Sequence, residues 1–210
     1  MISKLSKKFY SRKTEIVAQE LLGKTLVHKM DEGIISGKIV ETEAYLGQRD
    51  PGSHAYRGIT QRNRIMFGPA GKAYIYFVYG NHYCFNVVTE KDGVSGAVLI
   101  RALEPQEGIK LMKKHRRIDG PLARLTNGPG KLTKALGITG SMNGADLTGN
   151  KLFIISRIAS RKKEIPSKDF SIVNTGRIGI KEGRNLPYRY YIEGSKFVSR
   201  TTPIRKQGYG

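Results

Sequence analysis

At 210 residues and 23.4 kDa the chain has the length of one domain, or at most two small ones, which excludes a mini-protein or a repeat array. Its 37 Lys and Arg against 17 Asp and Glu leave a formal net charge of +20, so an anionic partner is expected: nucleic acid first, a membrane surface second, an acidic protein third. A hydrophobic share of 39% excludes disorder for most of the chain, the apolar runs stay far below the ~20 residues of a membrane span, and the single Cys84 excludes an internal disulfide.

Residues 1–13 are basic and punctuated by Ser, and read as a loosely held, flexible arm without the apolar core of a secretory signal, so an intracellular location is expected. A short helix from Thr14 to Leu22 stops at Gly23. Strands over Lys24 to Met30 and Ile34 to Tyr45 flank a turn at Asp31-Glu32-Gly33. Leu46 to Lys72 has no periodicity and reads as a long loop, a kind that is usually functional. Ala73 to Tyr79 and His82 to Thr89 are β-rich runs joined by Gly80-Asn81, a pair suited to a tight hairpin. A strand over Gly96 to Leu103 follows, then a helix from Pro105 to Arg117 opened by proline. Asn127-Gly128-Pro129-Gly130 precedes a helix over Lys131 to Leu136, whose N-terminal amides suit a phosphate. Leu152 to Arg157 and Tyr188 to Tyr191 complete an α+β pattern with meander-like strands and no break into a second domain.

Three features carry chemistry. Basic clusters at Lys7-Lys8, Arg62-Asn63-Arg64, Lys113 to Arg117 and Arg161-Lys162-Lys163 suit phosphate, or are solvated surface. Strand alternation puts Glu41, Glu43 and Tyr45 on one face and Val40, Thr42 and Ala44 on the other. Two acids beside an aromatic offer a general base and a stacking partner, although either acid is equally suited to pairing with Arg. In Tyr74 to Asn81, Tyr74 and Tyr76 share a face while Tyr79 falls at the hairpin tip, where an aromatic serves as a wedge into stacked bases or simply packs. His28, His54, His82 and His115 lack metal-ligand spacing, phosphate-binding glycine loops are missing, and Cys84 alternates within a strand as a core residue.

Glu41-Thr42-Glu43-Ala44-Tyr45-Leu46-Gly47, His54, Arg62-Asn63-Arg64, Tyr74 to Gly80, Arg101-Ala102-Leu103-Glu104-Pro105, Gly128-Pro129-Gly130-Lys131-Leu132 and Arg177-Ile178-Gly179 closely resemble the alkyladenine (3-methyladenine) DNA glycosylases. The resemblance runs from the first helix to the last strands. It implies one α+β domain over residues 1–210, with a mostly antiparallel, curved β-sheet core flanked by short helices. It also implies a monofunctional enzyme of base excision repair, monomeric and without metal or organic cofactor, whose partner is double-stranded DNA containing damaged purines and not a membrane. Carried over by position, Glu43 is the general base for the water attacking C1′ and Arg101 helps hold that water. Tyr45 and Tyr76 sandwich the flipped base, His54 contacts base or sugar–phosphate, Asn86 opposes the amino group of normal guanine, and Leu99 lines the site. Tyr79 is the wedge, with Arg62, Arg64 and Lys131 as cations toward the backbone. Asn81 stands where some relatives have an apolar residue beside the wedge, which strengthens the turn instead. The competing reading is a non-catalytic, basic nucleic-acid-binding protein.

Overall fold

Runs of alternating side chains broken by glycine-rich turns give nine strands among the residues described in the computed structural model, which are 3–78, 80–156 and 170–199. They are β1 (Ser3–Lys4), β2 (Thr25–Met30), β3 (Gly33–Tyr45), β4 (Ala73–Val78), β5 (His82–Val88), β6 (Ala97–Glu107), β7 (Leu152–Ser156), β8 (Ile172–Thr175) and β9 (Arg189–Ile192). Every pairing is antiparallel, in the order β1-β7-β2-β3-β6-β5-β4, with β9 added to β3 and β8 to β9. The sheet curls into a half-barrel, the α+β single domain that the sequence predicts.

The short helices are α1 (Lys7–Tyr10), α2 (Thr14–Leu21), α3 (Ile109–Arg116), α4 (Ala123–Thr126) and α5 (Pro129–Leu136). Val40 and Ala44 of β3, Ile75 of β4, Phe85 and Val87 of β5, and Val98 and Ile100 of β6 point to one face and join Leu21 and Leu132 of the helices in the main core. Thr42 lies on the same face, its hydroxyl bonded 2.9 Å to the Ala18 carbonyl of α2. Each such fully buried large side chain is worth about 1.5–3 kcal/mol over exposure. The opposite face carries Glu41, Glu43, Tyr45, Tyr74, Tyr76, Asn86, Leu99 and Arg101. There the loop after β3 packs a second cluster of Ala55, Met66, Tyr74, Val88 and Ala97.

Two readings need correction. The N-terminal segment is not a loose arm: Ser3 and Lys4 pair with Ser156 and Ile155, and Tyr10 is fully buried against the core. The apolar Leu5 and Tyr10, spaced among lysines, supply the anchorage that the charge pattern hides. The helix expected from Pro105 begins only at Ile109, because β6 runs on to Glu107 and Gly108, at φ 74°, turns the chain. Pro105 is tolerated in the strand at a register shift opposite Gly37, where the ladder is already irregular. The cluster Arg161-Lys162-Lys163 lies outside the described residues.

Candidate active site

Antiparallel register lines up Arg189, Glu43, Leu99, Asn86 and Tyr74 as one row across β9, β3, β6, β5 and β4. On either side of that row stand Tyr45, Tyr76 and Arg101. A register irregularity between Ile39 and Thr42 sets this part of β3 against β6, as bulges do where a side chain must be re-aimed.

At one end of the row a cleft of about 320 Å³, including space open to solvent, is walled by Tyr45, Tyr74, Tyr76, His54, Asn86 and Gly52. The Tyr74 and Tyr76 rings lie 5.2 Å apart, and the His54 ring packs edge-on to Tyr76 at 4.6 Å. The Tyr74 hydroxyl is 3.0 Å from His54 Nδ1, and Asn86 Nδ2 donates 3.0 Å to the Tyr74 carbonyl, so both polar side chains are oriented. Arg62 lies 5.2 Å over the Tyr76 ring, as a cation–π pair. Burial pushes the Tyr74 hydroxyl up to about 12 and raises Tyr76 and Tyr45 as well, Tyr45 also because Glu43 is beside it. Burial, and then the charge of Arg62, lowers His54. The walls of the cleft are thus uncharged at neutral pH.

Below Tyr45 lie both acids, each fully buried. Glu41 Oε1 accepts from Arg101 Nε at 3.0 Å, Arg189 Nε at 2.7 Å and the Ser199 hydroxyl at 2.7 Å, and its Oε2 accepts from the Ser199 amide at 2.7 Å. Glu43 Oε1 accepts from the Ile178 amide at 2.7 Å, and Oε2 accepts from the Tyr45 hydroxyl at 2.9 Å. Arg101 spans the two acids, with Nη1 3.3 Å from Glu43 Oε2 and 3.5 Å from the Ile178 carbonyl. Burial opposes its charge, but Glu43 and Glu41 outweigh that and raise it further. Glu41 is saturated by fixed donors, whereas Glu43 is tied to a pocket wall.

The structure therefore brings Glu43, Arg101, Tyr45, His54, Tyr76 and Asn86 together, with Leu99 between Glu43 and Asn86 in the row. Leu99 is almost fully buried and lies outside the cleft lining. Arg62 and Arg64 are exposed on the loop that carries His54. That loop is stapled by Asn63, which accepts from the Thr60 amide at 2.6 Å and donates to the carbonyls of His54 and Gly58 at 2.8 and 2.9 Å. Asn81 is exposed in the turn, hydrogen-bonded to His82. Lys131, expected on a phosphate, sits in the first turn of α5 and donates 2.8 Å to Asn127. Tyr79 lies outside the described residues. Among the described residues no three of His, Cys, Asp and Glu converge as metal ligands, and no helix is long and apolar enough to cross a membrane.

Residue reasoning missed Asp50 and the roles of Tyr74 and Arg177. Arg177 is among the largest fully buried side chains, and Asp50 grips it with contacts of 2.5 and 2.6 Å. Only the scarcity of acids hints at Asp50, since none follows it before Glu90.

Residues 8–196 match the model of the methylpurine-DNA glycosylases, a span that holds every pocket wall and both acids. The chain belongs to the methylpurine-DNA glycosylase family. It is 50% identical over 192 residues to a Methanoculleus marisnigri protein named "Putative 3-methyladenine DNA glycosylase", covering 91% of this chain and 96% of that one. A relative of the same name from Carboxydothermus hydrogenoformans is 51% identical over 197 residues, covering 93% and 98%. One from Chlorobium phaeobacteroides is 48% identical over 199 residues, covering 94% and 96%. Among the described residues, Ser199 is the partner of Glu41 that falls beyond the matched span.

Proposed function

We propose that the protein is a monofunctional DNA glycosylase that turns an alkylated or deaminated purine out of duplex DNA and hydrolyses its N-glycosidic bond. The observation that carries this reading is a buried carboxylate, Glu43, hydrogen-bonded through its Oε2 to the hydroxyl of a pocket-wall tyrosine. A flipped purine between Tyr45 and Tyr76 stacks on rings that stay uncharged, which is worth about 1–3 kcal/mol per base. Its sugar then lies toward Glu43.

Water adds to C1′ as the bond to the base nitrogen breaks. The electron pair leaves with the base, and Glu43 takes the water's proton. Arg101 Nη1 and the Ile178 carbonyl, 3.5 Å apart, bracket the place where such a water is held. A purine alkylated at N3 or N7 carries positive charge in DNA and departs neutral, so it needs no separate proton donor, whereas a deaminated purine is neutral in DNA and leaves as an anion that takes its proton from water. Asn86, fixed by the Tyr74 carbonyl, presents a rigid amide that clashes with a base bearing an extra amino group. A general base of this kind contributes roughly 10²–10⁴-fold.

The exposed Arg62 and Arg64 and the turn at Gly80-Asn81 lie in a stretch, residues 51–89, without a single Asp or Glu, which suits a phosphate backbone. The test is to incubate methylated duplex DNA with wild type and Glu43→Gln, heat with alkali and count strand breaks. Breaks with wild type alone are expected. Equal DNA binding by both proteins, with breaks from neither on methylated or inosine-containing duplexes, leaves only the binding-protein reading.

A further inference from the structure

One buried guanidinium touches three separately encoded pieces of this site. Arg177 Nη1 donates 2.9 Å to the carbonyl of Ala44, the residue between Glu43 and Tyr45. Its plane lies 4.7 Å over the Tyr45 ring and 5.4 Å over the Tyr188 ring. Its side chain backs the pocket wall at Gly52, where an added Cβ would stand 2.7 Å from Nη2. Nη2 also donates 3.1 Å to the Gly183 carbonyl. The next residue, Ile178, is the one whose amide holds Glu43. Arg177 is itself fixed by Asp50, whose two oxygens also accept from the amides of Leu46 and Gly52 at 3.1 and 3.0 Å. Arg177 does not line the cleft, so it stands behind Tyr45 and away from any base.

We propose that Arg177, held by Asp50, is a positioning residue that sets Tyr45 and Glu43 in register with each other. The inference rests on the glycosylase reading. A buried ion pair is a poor source of net stability, because the two charges must first leave water. Its planar fork, by contrast, fixes direction, and a rigid support behind the groups that touch substrate is what reaction geometry demands. Without it, the Tyr45 ring loses its backing and the Ile178 amide is no longer delivered to Glu43 by a fixed neighbour.

The experiment removes both charges together. Asp50→Asn/Arg177→Met keeps the volume and strands no charge, and is compared with wild type by melting, by affinity for lesion-containing duplex, and by single-turnover base release at saturating protein. A melting temperature close to wild type and affinity within about threefold are expected, with release slowed roughly 10- to 100-fold, since a ~1 Å misplacement can cost 10²-fold. A purely structural role would lower the yield of folded protein and leave the rate per folded molecule unchanged. If the double variant does not fold, Arg177→Lys, which keeps the charge without the fork, is read in the same way. Wild-type release by the folded variant overturns the positioning role alone. No release by wild type overturns the glycosylase reading and this inference with it.

Discussion

The two faces of the curled sheet are built from the same strands and do opposite work. On the helix-covered face Val40, Ala44, Ile75, Phe85, Val98 and Ile100 meet apolar neighbours and have no polar side-chain atoms to satisfy. On the other face, the neighbours of those residues in sequence are Glu41, Glu43, Tyr45, Tyr74, Tyr76 and Arg101, and nearly every polar atom there has a named partner. The contrast sharpens between the two acids themselves. Glu41 and Glu43 are equally buried and two residues apart, yet one is caged by Arg101, Arg189 and Ser199 while the other is hung from a pocket wall. Burial and charge alone therefore do not tell the two acids apart; what their partners are attached to does.

Substitutions can break this contrast, beginning with the largest effect. Glu43→Gln should lower single-turnover base release by about 10²–10⁴-fold with melting little changed, because the amide keeps the shape and accepts no proton. Glu41→Gln should instead strike the fold: it leaves Arg101 and Arg189 without their shared acid, a loss of about 3–5 kcal/mol in a denaturant titration. On the helix face Leu103→Ala should cost about 2–5 kcal/mol, with the release rate per folded molecule unaltered.

A smaller effect concerns protons. His28 is buried with Nδ1 2.7 Å from the Leu136 carbonyl, and burial lowers its pKa below the ordinary histidine value. The unfolded chain then binds the proton more readily, so stability is complete above about pH 6.5 and falls as pH drops toward the folded value, by at most about 1.4 kcal/mol per pH unit. His28→Gln should flatten that part of a plot of stability against pH. The smallest effect belongs to Arg62→Ala, which removes an exposed cation–π contact with Tyr76 worth about 0.5–1 kcal/mol and should weaken lesion binding a few-fold.

How far the sequence alone reaches depends on how local the cause is. The β4–β5 hairpin is written in two β-rich runs around Gly80-Asn81, and strand alternation puts Glu41, Glu43 and Tyr45 on one face, as the structure has them. Alternation does not separate the two acids. That distinction is made by Ile178, Arg189 and Ser199, which arrive from more than 130 residues away, and the family resemblance names Glu43 without giving this reason. The pairing of Asp50 with Arg177 spans 127 residues and leaves no periodic trace. The N-terminal arm was misleading because its lysines outnumber the two residues, Leu5 and Tyr10, that anchor it.

Since Glu43 and Tyr45 sit at alternate positions of one paired strand, the span between the Glu43 and Tyr45 positions is set by two residues of extended chain, ~6.7 Å, and by nothing that can relax. The strand is a ruler. A change of length in the exposed part of the loop leaves that span untouched, whereas one residue inserted between Glu43 and Tyr45 would turn the ring to the core face that Ala44 now occupies.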